Sequence, residues 1–400
     1  MPRVRLAREA ATSDVWDWRR TPPAATLRLE PPVTLTVDHD RAPDDPRGPL
    51  LAGLRGLTVS IIGYGNQGRA HAQNLRDSGV EVVVGARDQS RSGGLARADG
   101  FIARAVRDAS AAGDLVIVAL PDEVHGEVCA RDILPALQPT AVIGFLHGLS
   151  VHFGHVLPPA EVGVVMVAPK GPGATLRQRY LEGRGIPCLL AVHGASGAAA
   201  TDATETPMAR ALELGLAWAS GLGCGRAGIV HTSFAHEAET DLFGEQAVLC
   251  GGAMALAQAA FETLVEHGYP EELAYLECVH ELKQVVDLLF ERGFAGMRRA
   301  ISNTAEFGAY RAGPILVDDA VRGRLRELLE SIRRGDFARA FAEDTARGMP
   351  WFNEQRRIAA SHPIDRAGAV VRTWMPWMLG SGNTAGWSQN SNDQHSDETR

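Results

Sequence analysis

From Leu57 onward the chain alternates short apolar runs with amphipathic segments. LTVSII, EVVVGAR, AGDLVIVALP, TAVIGFLHG, EVGVVMVAPKGPG and IPCLLAVHG are bounded by Gly, Pro or charged residues. Runs this short and apolar predict strands buried on both faces. The segments between them predict helical crossovers, hence a parallel sheet covered on both sides. The pattern changes after about residue 233. GEQAVLCGGAMALAQAAFETLVEHG, PEELAYLECVHELKQVVDLLFERG and AVRGRLRELLESIRRGDFARAFAEDTARG carry apolar residues at helical spacing, so the second half is expected to be all helical. Residues 1 to about 50 are rich in Pro, Arg and Asp, with room for one short strand. The tail GSGNTAGWSQNSNDQHSDETR is polar and is expected to be disordered. HGASGAAATDATETPMA reads as a surface loop, and no internal repeat is visible.

The length of 400 residues predicts about two to three domains. The 45% hydrophobic content allows a sizeable core, and the net charge of −8 with scattered basic residues argues against a nucleic-acid partner. No run of apolar residues reaches membrane-spanning length, and the N-terminus lacks the apolar segment of a secretory signal. The five cysteines (Cys129, Cys188, Cys224, Cys250, Cys278) are dispersed and lack CxxC spacing. Reduced thiols in a cytoplasmic protein are expected.

Gly63-Tyr64-Gly65-Asn66-Gln67-Gly68 fits GxGxxG, follows the strand LTVSII and opens a helix. In that context the glycines let backbone approach a pyrophosphate, and the helix N-terminus favours its charge. The end of the second strand reads GARDQSRSGG. Arg87, Ser90, Arg91 and Ser92 offer cations and hydroxyls suited to a ribose 2′-phosphate, so NADP is favoured over NAD, although Asp88 points the other way. A solvated polar loop is the plain alternative.

Asp241 and Glu245 are four apart in ETDLFGEQAVLC, as are Glu277 and Glu281 in YLECVHELKQVVDLLF. Residues four apart share a helix face. Carboxylates inside segments ready for burial need compensation. Oxygen ligands without His or Cys suit Mg²⁺ or Mn²⁺. On spacing alone, two solvated helix faces are the favoured reading, and the metal reading needs the helices to meet. His231, His236, Glu237 and Glu239 precede Asp241 at irregular spacing and are expected in loop or surface roles. Trp351, Trp374 and Trp377 are expected to pack, and Trp16 and Trp18 have no assignable role.

In order along the chain, GYGNQG, FLHGLSVHFG, APKGPG, ETDLFGEQAVLCGG, ECVHELKQVVDL, ISNTAEFGAY and HPIDRAG…MPWM closely resemble ketol-acid reductoisomerase of the short, class I form, from about residue 33 to 378. The resemblance implies an α/β Rossmann-like N-terminal domain and an all-α, knotted C-terminal domain. The corresponding division is an extension at 1–32, an NADP-binding domain at 33–232, a helical domain with the metal and substrate site at 233–378, and a tail at 379–400. It implies conversion of 2-acetolactate or 2-aceto-2-hydroxybutyrate to the 2,3-dihydroxy acid in valine, leucine and isoleucine synthesis. NADPH, two Mg²⁺ and a homodimer with metal sites completed by both subunits are implied as well. By motif, Asp241 would bridge both ions, Glu245 would complete one site, and Glu277 and Glu281 the other. Ser302 would touch the substrate carboxylate, and His147, Lys170 and Glu281 would be catalytic. The cofactor would be held by Tyr64, Gly65, Asn66, Gln67, Arg87, Ser90, Ser92, Asp122, Glu123, Val124, His125 and Gly173.

The chain departs from that pattern at Asn66, where Ser is common, at Arg69, where His is common, and at His125, where Gln is usual. The 193–207 loop is longer than usual, and the N-terminal extension is unusual. A paralogue acting on a related 2-hydroxy-3-keto acid and a catalytically silent NADP-binding scaffold are the competing readings. The intact acidic quartet speaks against the scaffold.

Overall fold

The computed structural model describes residues 36–40, 50–87, 89–193 and 206–377. The extension at 1–32, the tail at 379–400, most of the 193–207 loop, Asp88, Trp16 and Trp18 lie outside them. The described residues form two compact units. One is Lys283–Arg326; the other comprises 36–282 and 327–377.

The larger unit is built on strands β1 (Val37–Asp38), β2 (Thr58–Ile62), β3 (Glu81–Gly85), β4 (Ile102–Arg104), β5 (Leu115–Val118), β6 (Val142–Phe145), β7 (Gly163–Pro169), β8 (Cys188–Val192) and β9 (Ile229–His231). Their order is β1-β9-β8-β7-β6-β5-β2-β3-β4. From β4 to β7 every neighbouring pair is parallel. The expected parallel arrangement ends there, because β8 runs antiparallel to β7 and β1 antiparallel to β9. The reason lies in the β7–β8 connection. Pro169 pairs with Cys188, and the Lys170 N–H donates to the Pro187 carbonyl at 2.9 Å. The helix Gly173–Leu181 thus acts as an elaborate turn at one end of the sheet rather than a crossover along its face.

The central strands are buried on both faces, as their continuous apolar sequences require. One face sets Ile61, Ile117, Val165 and Leu190 against Ala211, Leu214 and Trp218 of the helix Pro207–Gly221. The other sets Ile62, Val116, Ile143 and Met166 with Ala109, Cys129 and Ile133. Each Val, Leu, Ile or Met side chain among them contributes about 1.5–3 kcal/mol. Gly144 on β6 lets Trp218 close on the sheet, since a Cβ there would lie 2.8 Å from Trp218 Cζ3. The Trp218 indole N–H donates to Nδ1 of buried His71 at 3.2 Å, and burial pushes that imidazole down to about 3.

Beyond β9 all described regular structure is helical, beginning with Phe234–Gly244 and Gly252–Glu266. Phe261, Ala274 and Ala367 form a small core there. Contrary to expectation, Trp351, Trp374 and Trp377 do not pack within the chain; they are 64%, 54% and 72% exposed. By length and composition alone, the helical segment Phe234–Glu266 is long and apolar enough to cross a membrane.

In the smaller unit, the helix Glu281–Ala300 breaks at Gly293, whose φ of 66° is left-handed. The helix Asn303–Leu316 starts at Ser302, and Arg298 stacks 4.8 Å over the Tyr310 ring. Phe290, Phe294 and Ile315 are largely exposed, and no described residue of this unit is buried.

Candidate active site

The glycine turn leaves β2 at Gly63, whose φ of 99° favours glycine. A Cβ there would stand 2.6 Å from the Ala119 carbonyl oxygen, and one on Gly68 would stand 2.4 Å from that of Gly63. These contacts clamp the helix Asn66–Asp77 onto the sheet. Gly65 meets nothing within 4 Å, so the turn is open on the side where the helix begins. A Cβ on Gly173 would stand 2.2 Å from the Asn66 carbonyl oxygen, and the Gln67 amide donates to the Gly171 carbonyl at 3.0 Å. An open backbone cradle at a helix N-terminus fits a dinucleotide pyrophosphate.

Several of the expected cofactor side chains serve the protein instead. Tyr64 is buried and its hydroxyl donates to Asp99 Oδ2 at 2.8 Å. Burial and that bond hold the phenol above its usual range. Arg69 grips Asp99 through Nε at 2.7 Å and Nη2 at 3.0 Å. His125, at 3% exposure, places Nε2 2.9 Å from the Leu120 carbonyl and Nδ1 2.9 Å from Ser150 Oγ. Tyr64 and His125 therefore have only main chain left for a cofactor. After β3, Ser90 Oγ donates to the Arg87 carbonyl at 2.7 Å and accepts from the Gly93 N–H at 3.1 Å. It caps the helix Arg91–Ala98 and shapes the loop, while Arg87 and Arg91 are exposed and Ser92 half-buried.

The sheet's carboxyl edge converges on a charged cluster. His147 follows β6, Lys170 follows β7, and Glu237 and Asp241 stand one turn apart on Phe234–Gly244, whose N-terminus Ser233 caps through the His236 N–H. Glu237, 1% exposed, is the hub. Its Oε2 accepts from the Gly148 N–H at 2.7 Å and from His147 Nδ1 at 2.9 Å, and its Oε1 accepts from Lys170 Nζ at 3.0 Å. Lys170 also donates to Asp241 Oδ1 at 2.8 Å. Gly148 makes the approach possible, since a Cβ there would lie 2.4 Å from the Phe234 carbonyl.

Burial opposes the charge of His147, but the Glu237 bond and the charges of Glu237, Asp122 and Asp241 push it up to about 9. Against the same burial, Glu237 and Asp241 hold Lys170 above its usual value, and His147 and Lys170 hold Glu237 below its own. Glu245 is held high by burial and then by Asp241. Two acids repelling each other on one helical face fit a cation.

Sequence models match this chain in two blocks. Residues 53–228 match the NADPH-binding domain of acetohydroxy acid isomeroreductase, and 234–377 match the C-terminal domain of ketol-acid reductoisomerase. The chain belongs to the ketol-acid reductoisomerase family. It is similar to an NADH-preferring ketol-acid reductoisomerase from an uncultured archaeon, at 38% identity over 84% of this chain and 98% of that one, with a TM-score of 0.77. A semialdehyde dehydrogenase NAD-binding protein from Cupriavidus necator shares the fold at 19% identity, TM-score 0.52, over 70% and 99% of the two chains. As a ketol-acid reductoisomerase, the protein is an NAD(P)-dependent oxidoreductase and isomerase.

Lys170, His147 and Asp241 lie together around Glu237, and Glu245 follows one turn after Asp241, whereas Glu277 and Glu281 do not join them within the chain. Both are exposed, at the turn Leu276–His280 and the start of Glu281–Ala300, and neither makes a hydrogen bond or ion pair among the described residues. The Ser302 hydroxyl accepts the Ala305 N–H at 3.1 Å as a helix cap. The expected surface role for Glu237 is overturned. Its one available signal was its place one helical turn before Asp241, which puts both on one face. His231 pairs with Asp38 at 2.7 Å, and Glu239 lies 3.4 Å from Arg333.

Proposed function

We propose that the protein isomerises and reduces 2-acetolactate, or 2-aceto-2-hydroxybutyrate, to the 2,3-dihydroxy-3-methyl acid, using NADPH and Mg²⁺ at the Glu237 cluster. The observation that carries this reading is the meeting of Lys170, His147, Glu237 and Asp241 at the edge where the glycine turn also opens. Asp241 and Glu245 would hold divalent cations, and Gly65, Asn66 and Gln67 with Arg87 and Ser92 would hold the nucleotide. Bound there, two Mg²⁺ supply Lewis acidity for alkyl migration and NADPH supplies the hydride.

The chain's own residues then divide the remaining work. Lys170, kept charged by Glu237 and Asp241, offers Nζ to negative charge developing on a substrate oxygen. His147, fixed through Nδ1 by Glu237, holds a proton that it can exchange through its other nitrogen. Glu237 orients both cations of the protein from a dry position.

Glu277, Glu281 and Ser302 are read as the second subunit's contribution to this site. Support comes from apolar surface that the chain leaves uncovered. Val248, Leu249, Met254 and Leu256 are 55%, 64%, 50% and 53% exposed, and the smaller unit buries no described residue. Such surface suits an obligate interface with a second copy. The cofactor preference is read from Arg87 and Ser92 as NADPH. The test is oxidation of NADPH, and in parallel NADH, by purified protein with 2-acetolactate, with and without Mg²⁺. Turnover that requires Mg²⁺ is expected. Binding of NADPH without turnover would overturn the reading, and a preference for NADH would overturn the cofactor choice.

A further inference from the structure

We propose that His125 is a positioning residue whose ring cross-links the two loops that present Asp122 and His147, fixing the site between them. A carbonyl only accepts, so His125 Nε2 carries the hydrogen bonded to Leu120 at 2.9 Å. Nδ1 of the neutral ring then accepts from the Ser150 hydroxyl, also at 2.9 Å. Leu120 immediately precedes the Pro121–Asp122 step that leaves β5, and Ser150 lies on the short helix Leu149–His152 that follows His147 and Gly148.

The link is enclosed. His125 is 3% exposed and Ser150 1%, and the imidazole sits 6.0 Å from the Phe145 ring. The two loops touch at a second point, where a Cβ on Gly126 would stand 2.9 Å from the His155 carbonyl oxygen. The charged groups facing the ring are Asp122, whose Oδ1 is 3.6 Å from Nδ1, Glu123 and His147. Burial keeps the imidazole below its usual pKa, which favours the neutral form that the two bonds need.

A glutamine offers the same pair of functions, an amide N–H for the carbonyl and an amide oxygen for the hydroxyl. The inference rests on the proposed reaction, and its test separates the two. Wild type, H125Q, H125L and S150A are compared for melting temperature, NADPH binding by fluorescence, and kcat and KM with Mg²⁺ and 2-acetolactate. Nitrogen-resolved NMR of the wild type reads the tautomer of His125 independently of turnover.

H125Q should stay within about threefold of wild type, while H125L loses about tenfold or more in kcat/KM, as misplacement of a site by a fraction of an ångström does. S150A should lose activity in the same direction, and H125L/S150A should be no worse than H125L, because both remove one link. Should H125L fail to fold, S150A and the tautomer carry the test. A ring protonated at Nδ1 alone, an H125Q as damaged as H125L, or an S150A indistinguishable from wild type in turnover and cofactor affinity overturns the proposal. A wild type with the Nε2–H tautomer but no turnover overturns the reaction instead, and the cross-link is then judged on NADPH affinity across the variants.

Discussion

Replacing Glu237 by Gln keeps the shape of the hub and removes its charge. One carboxylate oxygen becomes an amide donor, and each oxygen of Glu237 already faces donors: Gly148 and His147 on one, Lys170 on the other. The amide group must therefore oppose either Lys170 or the His147 side. His147 is raised from 6.5 to about 9, and the Glu237 hydrogen bond is the largest cause working upward against burial. Glu237 shares the rise with Asp122 and Asp241, so its own part is that of a hydrogen bond to a charged group, about 1.5–3 kcal/mol, and its loss lowers kcat/KM by about 10- to 150-fold. The assay is Mg²⁺-dependent NADPH oxidation with 2-acetolactate, paired with an NMR titration of His147 assigned through His147→Asn. In E237Q the imidazole should titrate well below the wild-type value. A His147 that still titrates near 9, or activity within about threefold of wild type, would refute the hub argument.

Gly173→Ala puts a methyl group 2.2 Å from the Asn66 carbonyl, so the helix must retreat: KM for NADPH should rise about tenfold and the melting temperature should fall as well. Gly144→Ala meets Trp218 at 2.8 Å in the core and should cost about 1–3 kcal/mol by urea unfolding. His71, held down to about 3, stays neutral in the native state while the unfolded chain gains a proton below about 6.5. Its contribution to stability is therefore complete above that pH and is lost by about 1.4 kcal/mol per pH unit as the pH falls toward 3, a slope that unfolding of His71→Gln should lack. Asp241→Asn should weaken Mg²⁺ binding by calorimetry more than Glu245→Gln, since Asp241 is the carboxylate held by Lys170 and facing Glu245; the reverse order would remove Asp241 from the centre of the site.

Legibility varied with the range of the interaction. The β2 strand, the glycine turn and the helix after it are readable because each glycine answers a local steric demand, as at Gly63 and Gly68. The edge strand β4 gives little signal: Ile102 is 58% exposed, Ala103 is partly buried and Arg104 is exposed, so no apolar run forms. The acidic pair Asp241 and Glu245 stands out by spacing, whereas Glu237 blends into a run of mixed polar residues. Ser90 reads as a phosphate ligand, but the same hydroxyl is an equally good helix cap, and the loop's turn uses it that way.

By itself, the order of apolar runs and glycines determined a parallel α/β sheet followed by helices, and a turn built for a dinucleotide. Those features depend on periodicity and backbone torsions, which act within a few residues. Only the tertiary structure decided that β8 reverses direction, that His125 is spent on Leu120 and Ser150, and that Glu237 gathers Lys170 and His147 across 67 and 90 residues of chain. Partners that distant are chosen by where strands deliver their carboxyl ends, and burial then turns an ordinary glutamate into the charge that organises the site.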